Sequence, residues 1–448
     1  MINYKLDNIE KKNLLILIFI YIFTRIIFYF LFEIKADPIV IKPGWHVLEL
    51  SFLNKDLFNS IIHLHSQPPL WNIIIGIFTK LVNGDLIKTS ILLNIFNYFL
   101  SIGIMIYAFK ILSILNFKKI SFFIILFLVI LNPNIIFYEN ITFYNHILNF
   151  LFVTLVWIVI LFFKTKKNVY EILIYLNITV QSLIWAGIHP VLIILVFLTI
   201  SYLKKSIINK NSLFFLLIFF ISISPLIKNK IVFNKFSSST WLGLNLSSTM
   251  SDVGDKMCNY QVIYTDHYEV YNKKYNRKII HPVAREKSGH AHRNSVSQII
   301  LDDKCLKLAI NKIKEVPLEY AKRRVISFFV SHSKFGFEYI YLSPLNFKFY
   351  DLKKFMDENH LIKRIKQFSF ILYMLFFYVF FLRKIVNKND FQKSSLLIIF
   401  IYLFCNLVSH LFNGYEQERF MYQFLILHII FISNFILNLN EKINEKKY

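Results

Sequence analysis

Apolar runs of about twenty residues recur along this chain, separated by short gaps that carry lysine. A helix needs about 20 mainly apolar residues to cross the hydrocarbon core of a bilayer. The runs lie at Asn13 to Ile34, Thr89 to Ile111, Ile120 to Tyr138, Ile141 to Phe163, Glu171 to Gly187, Pro190 to Leu203, Ser212 to Ile231, Ile365 to Phe381, Ser394 to Phe412 and Met421 to Leu439. The pattern predicts an all-α polytopic membrane protein with about ten spanning helices, eleven at most. The fifth and sixth runs are too long together for one span, and Pro190 favours a break between them. The stretch Pro68 to Val82 is apolar but short, which suits a helix lying at the membrane interface.

Lysine placement bears on this count. Lys5, Lys11 and Lys12 precede the first run, and Lys110, Lys118 and Lys119 join the second to the third. Lys164, Lys166 and Lys167 follow the fourth; Lys204, Lys205 and Lys210 follow the sixth. Arg383, Lys384, Lys388 and Lys393 join the eighth to the ninth, and Lys442, Lys446 and Lys447 end the chain. With ten spans, all of these clusters fall on one side, as the preference for basic residues in cytoplasmic loops requires, and both termini are cytoplasmic. If Ile73 to Leu81 also spanned, the Lys118-Lys119 cluster would face outward.

Two large extracytoplasmic loops then remain, Lys35 to Lys88 and Val232 to Arg364. The expected organisation is an N-terminal transmembrane module at 1–231 containing the first outer loop at 35–88, an outer region at 232–364, and C-terminal transmembrane helices at 365–448. Within the outer region, Gln298 to Ile313 and Leu318 to Val330 read as helices. Cys258 and Cys305 both fall there, and an oxidising compartment would allow them to pair. Cys405, in a late apolar run, reads as a packing residue. The first run is long and lacks a small-residue cleavage site, so it reads as a retained anchor.

Composition agrees with a membrane location: 56% of the 448 residues are hydrophobic and the mean hydropathy is +0.51. The formal charge of +24 does not point to nucleic acid, because much of it flanks apolar runs, where it orients helices. There is no phosphate-binding glycine loop, no serine nucleophile elbow and no tight metal-ligand spacing; His63 and His65, like His290 and His292, have no carboxylate fixed beside them.

Under the ten-helix topology the polar residues at helix ends gather on the outer face. The first loop supplies Asp37, Trp45, His46, Glu49, His63, His65 and Gln67. Glu139 and Asn140 sit at the turn between the third and fourth helices, with His146 just inside the fourth. His189 sits between the fifth and sixth, and Glu416, Glu418 and Arg419 between the ninth and tenth. Ionisable groups at such depth are costly and are candidates for function. Arg25, deep in the first helix, calls for a partner on a neighbouring helix or a lipid headgroup.

Several of these features stand in an order that resembles the GT-C glycosyltransferases, in particular the PMT-type branch of family 39, which includes protein O-mannosyltransferases and bacterial aminoarabinose transferases. Asp37 follows the first helix. His65-Ser66-Gln67-Pro68-Pro69-Leu70-Trp71 resembles the family's His- or Lys-Pro-Pro-Leu run. Asn132-Pro133 with Glu139, His189-Pro190, the stretches Ser224 to Asn229 and Ser239 to Leu246, and Glu418-Arg419-Phe420 stand where relatives have comparable motifs. The resemblance runs from Asp37 to Phe420. Gln67, His189 and Lys228 depart from the basic residues that many relatives carry.

The resemblance implies transfer of a sugar from a polyprenyl-phosphate donor to a lipid, glycan or protein acceptor, on the outer face of a multi-pass cell membrane, expected to be a bacterial inner membrane. It assigns the general base to Asp37. A carboxylate within hydrogen-bond reach can take the proton of an acceptor hydroxyl as the new C–O bond forms. Arg419, then Lys228, are the candidate phosphate ligands; His65, Gln67, His189, Glu139 and Glu418 complete the candidate binding set. Some relatives use a divalent ion, but no ligand set for one is readable, so no metal site and no cofactor is assigned. Two alternatives remain. An O-antigen polymerase or ligase would rely on loop residues such as Arg277, Arg285, His290 or Arg293. A lipid or sugar transporter would favour internal repeats and charges in mid-helix.

Overall fold

The structure is a computed structural model in which residues 7–35, 47–115, 117–141, 143–204, 212–250, 258, 268–276, 279, 281–284, 294–333, 397–398, 400–405, 408, 411, 422–427 and 429–430 are described. Among them the chain is helical throughout and forms no β-strand. The run Asp37 to His46, the spans expected at Ile365 to Phe381 and beyond Met421, and the turn holding Glu416, Glu418 and Arg419 lie wholly or largely outside the described residues.

The first helix, α1 (Asn8–Leu31), opens on a reciprocal cap. The Asp7 carboxylate accepts the Glu10 amide at 2.8 Å, and Glu10 accepts the Asp7 amide at 2.9 Å. Each side chain thus satisfies a backbone donor that the helix leaves open. Three short helices follow, α2 (Leu50–Lys55), α3 (Leu57–Ile62) and α4 (Leu70–Leu81). At 12 residues, α4 rises about 18 Å, short of a bilayer core. Then come α5 (Leu86–Ile114) and α6 (Lys118–Ile125).

The third apolar run is not one straight helix. After α6 the chain takes a π-helical turn over Leu126–Ile130, where the Leu131 amide reaches back to the Leu126 carbonyl at 3.0 Å. Asn132 then caps α7 (Pro133–Asn140), which Pro133 starts. The two parts meet at 49°. Proline removes a backbone donor and is best accommodated in the first turn of a helix, and here the chain stops and restarts at Asn132-Pro133.

The remaining elements are α8 (Asn145–Thr165), α9 (Asn168–Ile184), α10 (Val191–Lys204), α11 (Ser212–Phe233), α12 (Leu242–Ser248), α13 (Tyr268–Tyr275), α14 (Val296–Glu315) and α15 (Pro317–Ser333). The fifth and sixth runs are separate helices, with the break at residues 185–190. The helical stretches expected in the outer region correspond to α14 and α15. Among the described residues, four helices are long and apolar enough to cross a membrane: α1, α5, α8 and α11. The bent pair makes a fifth if counted as one span. The chain is therefore a helical membrane protein.

Burial orders these helices. In the most apolar stretch of α8, 78% of residues are buried, against 17% in α1. Accordingly α8 is central, packing on α5, α9 and the turn at Tyr422–Phe424, while α1 lies at the edge against α5 and α6. Cys405 is buried in the main apolar core.

A second packed unit lies outside the bundle. Cys258 and Cys305 form a disulfide with Cα atoms 5.8 Å apart, and they cluster with Trp241, Leu244 and Leu301. There α12 crosses α14 so closely that a Cβ added to Gly243 would lie 1.9 Å from the backbone carbonyl oxygen of Asp302. Only glycine fits that crossing. Gly243→Ala is expected to destabilise this unit by about 1–3 kcal/mol through overpacking against backbone that cannot yield. Thermal unfolding of the detergent-solubilised protein, followed by the protease sensitivity of residues 241–315, measures it. Unchanged unfolding would show that the two helices separate freely.

Candidate functional site

Two polar clusters stand out, one between the connecting segments and one inside the bundle. The first surrounds residues 61–66, immediately before Pro68-Pro69. This stretch is neither helix nor strand over most of its length, so its backbone groups need other partners. Side chains from residues 228–294 supply them. Lys228, near the end of α11, donates to the carbonyls of Ile61 and Leu64. The Asn294 side chain accepts the amides of His65 at 2.8 Å and Ser66 at 3.1 Å, and donates to the carbonyls of His63 at 2.8 Å and Val283 at 3.2 Å. The Ser239 hydroxyl donates to the Ser66 carbonyl at 2.6 Å.

His65 is fully buried. Its Nδ1 lies 2.8 Å from the Thr240 hydroxyl, and its ring meets Phe233 edge-on with centroids 4.8 Å apart. His63 stacks on His281 at 4.5 Å. Burial holds the His281 imidazole below its usual range, and the like charge of His63 lowers it further, while Asp56 acts in the opposite sense. Behind this surface the buried Asp302 carboxylate accepts the amides of Gly243 at 2.6 Å and Leu244 at 3.2 Å. Its burial raises its pKa to about 6, against the opposing pull of Lys235 and of the two amides.

The second cluster answers the question posed by Arg25. Its guanidinium forms a forked ion pair with Glu139, Nε to Oε2 at 2.6 Å and an Nη to Oε1 at 3.0 Å, with side-chain exposures of 7% and 0%. Its other Nη donates to the Ile130 carbonyl at 2.8 Å, at the end of the π turn. The Tyr21 hydroxyl donates to Glu139 Oε1 at 2.9 Å, and the Tyr21 ring lies under the guanidinium at 4.4 Å. Asn94 and Asn97 of α5 donate to the Glu139 carbonyl at 2.7 and 3.2 Å, serving the open C-terminal end of α7. His146 lies 3.1 Å from the Asn97 carbonyl through Nε2 and 2.7 Å from the Tyr422 hydroxyl through Nδ1. A carbonyl can only accept, so in the tautomer that serves Asn97 the proton is on Nε2 and Nδ1 accepts from Tyr422. Ser101 sits 2.9 Å from the same Nε2.

The residues singled out by sequence are thus divided. His65 and Lys228 meet at the 61–66 stretch. Gln67, partly buried, continues it. Glu139 belongs to the other cluster, buried and committed to Arg25 and Tyr21 rather than placed at an open turn. His189 stands apart between α9 and α10, its pKa lowered by burial. Asp37, Glu418 and Arg419 lie outside the described residues. Asn294, the most connected side chain in the first cluster, was not picked out, because one asparagine in a polar segment carries no pattern. Asn94 and Asn97 were hidden inside an apolar run, although their i, i+3 spacing marks a common helix face. Among the described residues no group of three His, Cys, Asp or Glu side chains is arranged to hold a metal. Comparison with protein-family models, curated proteins and solved structures finds no match for this chain.

Two expectations follow. Glu139→Gln leaves the buried Arg25 cation without its counter-charge and is expected to cost about 3–5 kcal/mol, whereas Arg25→Met with Glu139→Leu recovers part of that loss. Denaturant titration of Arg25→Met, Glu139→Leu and the double variant gives the coupling energy; a value near zero would mean that the pair contributes nothing.

The second expectation concerns pH. Asp302 holds a proton more tightly when folded, at about 6, than the ordinary value near 3.8 it regains on unfolding. Its contribution is complete below that ordinary value and is lost as pH rises through the folded value, by about 3 kcal/mol in all. Asp302→Asn keeps an oxygen acceptor and is expected to flatten this dependence, as read from melting temperature between pH 4 and pH 7. An unaltered slope in the variant would exclude Asp302 as its source.

Proposed function

We propose that this chain is a GT-C-type membrane glycosyltransferase. It takes a sugar from a polyprenyl-phosphate donor and transfers it to a lipid, glycan or protein acceptor on the extracytoplasmic face, with inversion. The topology that accompanies this reading has ten spans with both termini in the cytoplasm, in a bacterial inner membrane. The observation that carries it is the seating of the run His65 to Trp71. Its backbone is served by Ser239 and Asn294, the carbonyl just before it by Lys228, and its histidine by Thr240. Two segments that the resemblance assigns to one face therefore converge on the motif that most resembles the family.

In this mechanism Asp37 takes the proton of the acceptor hydroxyl as the oxygen attacks the anomeric carbon, and the bond to the lipid phosphate breaks with its electrons leaving on the phosphate. Lys228 already donates hydrogen bonds to two carbonyls, so Arg419 is the first choice to meet the departing phosphate charge, with the planar donor fork suited to it.

A transporter is the second reading, favoured by the 49° break between α6 and α7 and by the ion pair beside it, because transporters bind their cargo at discontinuous helices. Transfer of labelled sugar from polyprenyl-phosphate donors to membrane extract, by purified wild type and Asp37→Asn in parallel, tests the first reading. Transfer by wild type with a loss of about 10²-fold or more in the variant is the expected result for removal of a general base. Equal transfer by both proteins would move the base elsewhere. No transfer, together with uptake of donor lipid or sugar in proteoliposomes, would favour the transporter.

A further inference from the structure

The groups that meet at residues 61–66 come from parts of the chain far apart in sequence. Asn294 is 229 residues from His65 and 228 from Ser66, and it is 3% exposed. One side-chain amide there makes four bonds. Its oxygen holds two successive amides, and its nitrogen holds one carbonyl from the first connecting segment and one from the second. An asparagine can do this because it presents acceptor and donor on a single short plane. Aspartate has no donor, alanine has neither group, and glutamine sets the plane one carbon farther out.

We infer that Asn294 is a positioning residue that fixes the register of the His65–Leu70 loop against the second connecting segment. The two carbonyls held by Lys228 lie just before the amides held by Asn294, and the Ser66 carbonyl held by Ser239 lies just after them. The loop is therefore gripped along its backbone. The His63–His281 stack closes the same joint from the outside. The catalytic consequence rests on the transferase reading. The placement of the loop does not.

The test is amide hydrogen exchange on the full-length protein in detergent, for wild type, Asn294→Ala and Asn294→Asp, with sugar transfer measured on the same preparations. In the alanine variant, exchange at His65 and Ser66 is expected to rise about tenfold or more, as follows from losing one net hydrogen bond at each amide. The aspartate variant keeps the acceptor and is expected to protect both amides while releasing the His63 and Val283 carbonyls. Protection in α12 and α14 is expected to stay unchanged in both. Unaltered exchange at His65 and Ser66 in the alanine variant would overturn the placement, as would loss spread over α12 and α14 in both variants. In transfer, the alanine variant is expected to lose kcat about tenfold while the donor KM holds, because a misplaced loop spoils geometry before affinity. A loosened loop with full kcat would overturn the positioning role. Absence of transfer by wild type would count against the transferase and leave the exchange result to decide the placement.

Discussion

A guanidinium and a carboxylate enclosed by apolar helices constrain everything around them. Taking either charge out of water costs several kcal/mol, and their attraction offsets this only when the remaining donors and acceptors are also met. Here they are. Glu139 receives Arg25 and Tyr21, and Arg25 spends its spare donor on Ile130. That requirement fixes α1 against the π turn and α7, and through Asn94 and Asn97 it fixes α5 as well. His146 and Tyr422 bring in α8 and the late 3₁₀ turn. Apolar packing alone would let these helices slide or rotate; the polar centre allows one alignment.

The same rule, that enclosed polar groups must be satisfied, is met differently between the connecting segments. Inside the bundle, side chains answer other side chains and the open carbonyls of a helix end. Around residues 61–66, side chains answer irregular backbone. In the second case the sequence of the gripped stretch matters less than that of its holders. The disulfide and the Gly243 crossing brace α12 against α14, and two of the holders, Ser239 and Asn294, stand within a few residues of those helices.

Much of the helical plan was legible in the sequence. Apolar run length and Pro190 set the helix-rich plan and the break between α9 and α10, and the shortness of the Pro68 to Val82 stretch anticipated the short α4. The bend between α6 and α7 was not legible, although Pro133 marks its place, because hydropathy reports how apolar a run is and not whether it is straight. Arg25 was visible as an anomaly without a solution, since its partner lies 114 residues away and periodicity speaks only of a residue's own helix. The His65 motif was conspicuous, whereas the Asn294 that holds it was not. Its role depends on backbone atoms, three of them more than 200 residues away, that leave no trace in local pattern.

The π turn at Leu126–Ile130 has one more consequence. Such a turn holds one residue more than an α turn, so it works as an insertion absorbed within a helix. Each α-helical residue advances about 100° around the axis, which means that the segment beyond the turn is phased by a count of residues and not by what those residues are. Shortening the stretch by a single leucine would leave its hydropathy nearly untouched and still rotate the point at which the chain leaves α6 by about 100°. The alignment of this bundle thus depends on how many residues the turn holds as well as on how apolar they are.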